Sequence, residues 1–157
     1  DHIQCWRITT AAFEAAGEPA RYLDVGPAPW QPQRLYYTGF SNRMVKVFTA
    51  LMRLRGQDPK RAGRNKDIDW TRIGIEPRRL HAHIDYGKYW EAKKAAGAAH
   101  PSQGGGSSRN RMLPESIQRR YLATETYIRA WPPVPDGYRE TDLFAGVVPD
   151  GDGKEGL

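Results

Sequence analysis

Two groups of polar residues in this chain of 157 residues could take part in chemistry. Asp1 and His2 stand at the start of a predicted helix, and His100, Ser102 and Gln103 lie where a helix passes into a glycine-rich loop. A carboxylate at a helix start often caps free amide groups, whereas a histidine there can also bind a metal. Loops that follow helix ends often display binding groups. The spacing alone leaves both interpretations open for each group.

A third pair, His81 and His83, lies in the segment LHAHID, whose alternating pattern predicts a half-exposed or edge strand over residues 80–85. Alternate strand residues point to the same face, so the two imidazoles could bind a metal as a pair. The sequence places no carboxylate or cysteine next to them. We therefore interpret them as ordinary surface histidines.

Other reaction chemistries have little support in the sequence. No serine, histidine and aspartate stand in a recognisable triad order, and Cys5 lies in a predicted helix without a paired base. We interpret Cys5 as a small core-facing residue, and a single cysteine fits a reducing, cytoplasmic compartment. The three glycines at 104–106 lack the Lys-Ser/Thr pair that a phosphate-binding P-loop needs.

The net charge of +6 comes largely from arginines and lysines spread over residues 53–79. Residues 56–66 are nearly devoid of apolar side chains, which predicts a solvated loop. Because no exposed aromatics are interleaved with these charges, we do not expect a nucleic-acid site. The basic surface could still attract phosphates or acidic glycans. No apolar run approaches the roughly 20 residues of a membrane span, and none is predicted.

Hydrophobic periodicity predicts alternating helices and strands. Apolar residues at three- and four-residue steps indicate a helix over residues 3–16, which Gly17 would end in the left-handed conformation. The further expected elements are a strand at 33–38, a helix from Ser41 to Gly56, the strand at 80–85, a helix at 86–99, a helix from 114 with a buried stripe reaching 128, and a strand at 143–148.

This alternation is typical of layered α/β folds. Two or three strands rarely form a stable sheet in such a fold, so we expect further strands upstream of Asp1, in agreement with the missing initiator methionine. We predict one domain over residues 1–148 and a flexible tail over 149–157. The chain would then be the C-terminal part of a larger domain.

Four stretches resemble a known family: DHIQCWRITTAAFEAA, QPQRLYYTGF, HIDYGKYWEAKKAAGAAHPSQ with RRYLATETYIRA, and ETDLFAGV. They are similar to the C-terminal part of the LmbE-like, PIG-L-type zinc deacetylases. These enzymes remove acyl groups from glucosamine conjugates such as N-acetylglucosaminyl-phosphatidylinositol and the mycothiol precursor. The resemblance implies a Rossmann-like layered sheet with flanking helices, whose N-terminal strands are missing here.

The resemblance also implies roles for the polar groups. His2 matches the second histidine of a His-Pro-Asp-His motif, a zinc ligand, and Asp1 matches its carboxylate, which orients the preceding histidine. That preceding histidine is absent. His100, Ser102 and Gln103 match an Ala-His-x-Ser-Gln signature and would shape the substrate pocket. The family's Ala-His-Pro-Asp-Asp-Glu motif, with two more ligands and the general base, is absent as well.

The implied reaction is zinc-dependent hydrolytic N-deacetylation of an N-acetylglucosamine-type amide by the parent enzyme. Zinc would lower the pKa of its bound water, and this chain alone would be inactive because a catalytic zinc needs three protein ligands. The implied partners are a small sugar amide, the missing N-terminal half and, because members of this family often form oligomers, further copies of the chain. The alternative is a non-catalytic module that binds an anionic glycan or phosphate.

Overall fold

The computed structural model describes residues 2–21, 26, 29–63, 65–100, 114–121 and 123–148. The helices and strands follow one another along these ranges and are joined by short 3-10 turns, among them Trp70–Arg72 and Gly87–Tyr89. In chain order the elements are α1 (His2–Ala16), β1 (Leu35–Thr38), α2 (Asn42–Leu54), β2 (Ala82–Asp85), α3 (Trp90–Ala98), α4 (Glu115–Tyr121) and β3 (Thr124–Trp131).

The three strands form one sheet in the order β1-β3-β2. β3 lies in the centre and pairs antiparallel with both neighbours, so that Tyr37 lies opposite Ile128 and Ala82 opposite Tyr127. The predicted mixed α/β composition is confirmed. The strand pairs of this sheet are antiparallel, however, and the described residues do not display the parallel layers of a Rossmann-like sheet.

The prediction of one long helix from residue 114 to 128 was wrong in its second half. α4 ends at Tyr121, and the following TETYIRAW segment forms β3. Threonine, tyrosine, isoleucine and tryptophan side chains pack well on a pleated surface, and as the central strand β3 finds hydrogen-bond partners on both sides. Long-range pairing therefore determines the structure of this segment.

The strand predicted at residues 143–148 is also absent, because this segment forms turns. Val147 N donates to Phe144 O at 2.9 Å. Gln33 then pairs with the backbone of Val148 as a neighbouring strand would, with Nε2 donating to the carbonyl at 2.6 Å and Oε1 accepting from the amide at 2.9 Å. A side chain thus satisfies backbone groups that a strand would otherwise need to pair.

α1 forms as predicted, but its surroundings differ from the prediction. Gly17 does not adopt a left-handed conformation; it makes room for Gln31, whose Nε2 donates to Phe13 O at the helix end over 3.0 Å. A Cβ atom on Gly17 would lie 2.7 Å from Cβ of Gln31. Cys5 is exposed, so the core-facing role expected of it was wrong for the described structure. Trp6, the next residue of the same helix, is 52% exposed.

The core lies between α2 and the residues that follow it. Ser41 caps α2 by accepting from Arg43 N at 3.3 Å, and Gly56 lies just beyond the helix with a φ of 71°, so both predicted ends are confirmed. Met52, Ala62 and Trp70 form a buried cluster on which Phe48 packs. The described residues of the 56–66 loop are mostly exposed, as predicted, although Pro59 and Ala62 are buried and Ala62 belongs to this cluster.

Candidate functional site

The predicted catalytic residues are described only in part. His2 is the first residue of α1, but nothing is described of its side chain, and Asp1, Ser102 and Gln103 lie outside the described residues. His100 follows the end of α3 and is exposed. Its Nδ1 lies 2.9 Å from Ala96 O, in the manner of a helix-end cap. The metal-binding and pocket roles of these residues stay predictions.

His81 is not the surface histidine that the sequence suggested, because it is only 5% exposed. Its backbone amide donates to Tyr127 O at 2.8 Å, and its Nδ1 accepts from Arg129 N at 3.2 Å. Nε2 is buried and has no hydrogen-bond partner in the described part of the chain. His83 is half-buried, and its Nε2 lies 3.1 Å from Leu80 O. Both rings therefore interact with backbone groups.

A metal site is not complete in the residues that the structure describes. Within those ranges there is no group of three histidine, cysteine, aspartate or glutamate side chains that could hold an ion. A catalytic zinc normally has three protein ligands and an open position. The described residues therefore do not fit a zinc site by themselves.

The most deeply buried charges form a set that we name the Glu140 cluster, made of Arg34, Tyr36, Arg129 and Glu140. Tyr36 donates to one carboxylate oxygen of Glu140 at 2.8 Å. Arg34 and Arg129 each donate to the other oxygen, at 3.2 and 3.3 Å. The side chains of Arg34, Arg129 and Glu140 are 12%, 10% and 5% exposed. Burial raises the pKa of Tyr36, so this phenol stays a hydrogen-bond donor.

The Glu140 cluster holds the segment 140–148 against β1. Arg34 donates to Leu143 O at 3.3 Å and also to Ala145 O. On the other side, Glu140 N donates to His81 O and His83 N donates to Glu140 O, both at 2.9 Å. The sequence analysis did not predict this cluster. The available signal was Arg34 and Tyr36, two side chains with polar groups that stand two positions apart in the strand predicted at residues 33–38.

A cavity of about 460 Å³ lies between α2, the end of β1 and the start of β3, and we name it the α2 cavity. One wall is apolar and is formed by Phe40, Met44, Val45, Phe48 and Trp70. The ring centroids of Phe40 and Phe48 lie 6.2 and 5.7 Å from that of Trp70. Within this wall Val45 is buried, whereas Met44 is 49% exposed at the cavity.

The opposite wall of the α2 cavity is polar and includes Thr126, Glu125 and Tyr127. Tyr127 donates to Glu125 at 2.7 Å, and Lys93 also donates to this carboxylate. Burial and the hydrogen bond to Glu125 raise the pKa of Tyr127 to about 12. Burial alone would raise the pKa of Glu125, but the hydrogen bonds from Lys93 and Tyr127 bring that pKa below its ordinary value. Glu125 is therefore ionised and paired near neutral pH.

Tyr86 extends this wall and links it to α3. Its ring stacks on Trp90 with centroids 6.0 Å apart and planes inclined by 2°. Lys93 Nζ lies 5.3 Å from the Tyr86 centroid, close enough for a cation–π contact. Trp90 Nε1 donates to Glu115 at 3.0 Å and so ties α3 to α4. The cavity wall is thus supported by ring and ion contacts behind it.

The chain is similar over nearly its whole length to curated bacterial proteins. It is 32% identical over 155 residues to 1D-myo-inositol 2-acetamido-2-deoxy-alpha-D-glucopyranoside deacetylase of Streptomyces griseus, covering 98% of this chain and 47% of that protein. A protein of the same name from Thermobifida fusca is 30% identical over 149 residues, covering 92% of this chain and 49% of the relative. Mycothiol S-conjugate amidase of Streptomyces coelicolor is 31% identical over 153 residues, covering 94% and 50%.

These relatives support the LmbE-like resemblance. They do not single out N-acetylglucosaminyl-phosphatidylinositol de-N-acetylase within it. The chain spans about half the length of the curated relatives it matches. No family model matches the chain. In the ranges that the structure describes, none of the helices has the length and apolar character needed to cross a membrane.

Proposed function

We propose that this chain is part of an LmbE-like hydrolase that removes an acyl group from the amine of an amino-sugar conjugate. The observation that carries this proposal is the similarity to a deacetylase over 98% of the chain and to an amidase over 94% of it. Both relatives are named for breaking an amide bond. The Ala-His-x-Ser-Gln signature, quoted above, lies in the interior of the chain and so falls within the matched length.

The proposed substrate is a small molecule, an N-acylated glucosamine carrying a polar or thiol-bearing partner. The deacetylases are named for a 2-acetamido sugar joined to myo-inositol, and the amidase is named for a mycothiol S-conjugate. The shared chemistry is a secondary amide on a polar conjugate.

We propose zinc as the cofactor of the whole protein, with His2 as one ligand and Asp1 beside it. The described residues do not complete a site. The other ligands would therefore come from the part of the whole protein that corresponds to the half of the relatives not spanned by this chain. His100, Ser102 and Gln103 are proposed as pocket residues. The chain alone is then expected to be inactive. A cytoplasmic location and assembly into homo-oligomers stay predictions.

The sheet offers a place for the rest of such a domain. β1 is the end strand in the order β1-β3-β2, so its outer edge is unpaired in the described sheet. α1 contacts β1 through Thr10 and Tyr37, whose hydroxyl oxygens lie 3.0 Å apart, and it exposes Ile3, Trp6 and Ile8. Open strand edges and exposed apolar side chains favour pairing with further structure. We propose that the Rossmann-like layers continue from this edge.

The proposal is tested in the whole protein by following amine release from an N-acetylglucosaminyl inositol conjugate. We expect turnover to stop with a chelator and to return with zinc. His2→Ala should lower both the activity and the zinc content, whereas Gln4→Ala, at an exposed position of the same helix, should change neither. Turnover that persists without metal would refute the proposal. Tight stoichiometric zinc on the isolated chain would contradict the incomplete site.

A second candidate function is the binding of phosphate or an anionic glycan without catalysis. It is favoured by a shallow cavity of about 310 Å³ that is lined by Lys88, Arg119 and Arg120, with Asp85 as the acidic neighbour. Titration with inorganic phosphate tests it. Arg119→Glu should abolish binding and Arg43→Glu, exposed on α2, should not. Equal binding by both variants would refute this function.

A further inference from the structure

We propose that the α2 cavity is a binding site for a small molecule with a flat apolar body and a hydroxyl group at one edge. Its volume of about 460 Å³ falls within the range of roughly 300–1,000 Å³ that small-molecule sites occupy. This site lies outside the predicted metal-binding residues. The inference goes beyond the proposed deacetylase function and does not depend on it.

The apolar wall determines the shape of the ligand. Trp70 is buried, being 9% exposed, and the mouth of the cavity is flanked by Phe40 and Met44, which are 57% and 49% exposed. A flat ring that entered here would cover these exposed apolar atoms and meet the aromatic faces edge-on or offset. Removing such apolar surface from water is favourable. The wall therefore selects a planar apolar body.

The polar wall determines the head group of the ligand. The Tyr127 hydroxyl donates its hydrogen to Glu125, and the Thr126 hydroxyl donates to Gly39 O. Glu125 and Tyr127 lie on the same face of β3. With the Tyr127 hydrogen engaged, these two side chains offer lone pairs beside the cavity, so the ligand must bring a donor.

The charges of Glu125 and Lys93 further restrict the chemistry of the ligand's head group. Lys93 already pairs with the Glu125 carboxylate, so a second cation gains less there than at a lone carboxylate. An anion would be repelled by Glu125 at short range. A neutral hydroxyl group can donate a hydrogen bond to this wall without competing with Lys93 and without being repelled by Glu125. The cavity is thus matched to neutral hydroxylated aromatic molecules.

The test uses the full chain without metal and three probes of one ring size: 2-naphthol, naphthalene and 2-naphthoate. Binding is followed by amide chemical shifts in ¹⁵N-labelled protein. We expect 2-naphthol to shift Phe40, Met44 and Trp70 selectively and to bind about tenfold more tightly than naphthalene, because a hydrogen bond to a charged acceptor has about that effect. The 2-naphthoate anion should bind more weakly than either.

Two variants of α2 distinguish binding in the cavity from non-specific binding to the rest of the surface. Met44→Trp should plug the mouth and weaken 2-naphthol binding at least tenfold. Val47→Trp, at a position of α2 that is 70% exposed, should leave it unchanged. Circular dichroism checks that both variants fold. If Met44→Trp does not fold, Glu125→Gln decides: it should reduce the preference for 2-naphthol over naphthalene and keep naphthalene binding.

Three results would overturn the proposal. They are no saturable 2-naphthol binding, equal affinity for naphthalene and 2-naphthol, and equal losses in the Met44→Trp and Val47→Trp variants. Each is distinct from failure of the deacetylase assay, which needs the whole protein and a metal. The two proposals therefore succeed or fail separately.

Discussion

Replacing Glu140 by glutamine should destabilise the chain more than a typical surface charge substitution. The Glu140 carboxylate, 5% exposed, accepts hydrogen bonds from Arg34, Arg129 and Tyr36. Glutamine has a similar shape but no charge, and it can accept through one oxygen only. Two guanidinium groups, 12% and 10% exposed, would then lose their counter-ion.

The expected magnitude follows from this burial. Removing one partner of a buried ion pair costs about 3–5 kcal/mol because the remaining charge is left unpaired. The amide oxygen of glutamine retains part of the hydrogen bonding, so we expect about 3 kcal/mol. In a domain of this size, roughly 2–4 °C of melting temperature is lost per kcal/mol. The expected decrease is therefore about 6–12 °C.

The measurement is urea unfolding followed by far-ultraviolet circular dichroism, with Glu76→Gln as the matched control. Glu76 pairs with Arg78 at 2.6 Å, but both side chains are more than half exposed, so its loss should cost less than about 1 kcal/mol. A free energy of unfolding for Glu140→Gln within about 1 kcal/mol of the native chain would show that the Glu140 charge contributes little to stability. So would equal effects of the two substitutions.

Gly39→Ala should lower the free energy of unfolding by about 1–3 kcal/mol, because the new Cβ would lie 2.6 Å from Cδ1 of Ile75; urea unfolding measures this, and an unchanged midpoint would contradict it. Gly97→Ala in α3 meets open space and should stabilise by up to about 1 kcal/mol in the same assay. Leu80→Ala should cost about 2–5 kcal/mol, because Leu80 is 1% exposed, and a loss below that range would indicate local collapse. Tyr127 ionises at about 12 in the folded chain, against an ordinary pKa of 10.0. Its contribution to the free energy of unfolding is thus fully present below about pH 10 and is lost as the pH rises through about 12. In a titration followed by phenolate absorbance, Tyr127→Phe should lack the last ionisation step.

Elements whose signals are local could be predicted from the amino-acid sequence. Periodic apolar residues predicted α1, α2 and α3, and the cap residues Ser41 and Gly56 marked the ends of α2, because helix hydrogen bonds and caps involve neighbours within a few positions. A short aromatic run bounded by proline and glycine predicted β1. The quoted motifs also led to the family resemblance that the curated relatives support.

Features that join distant parts of the chain depend on the tertiary fold and could not be predicted from local patterns. The segment that continues α4 in the sequence pattern becomes β3 because β1 and β2 pair with its two edges. His81 is buried because β3 and Glu140 bond to its backbone on both sides. The Glu140 cluster joins Arg34 to a residue 106 positions later. Such contacts depend on strand register and chain crossing, which side-chain periodicity within a single segment does not encode.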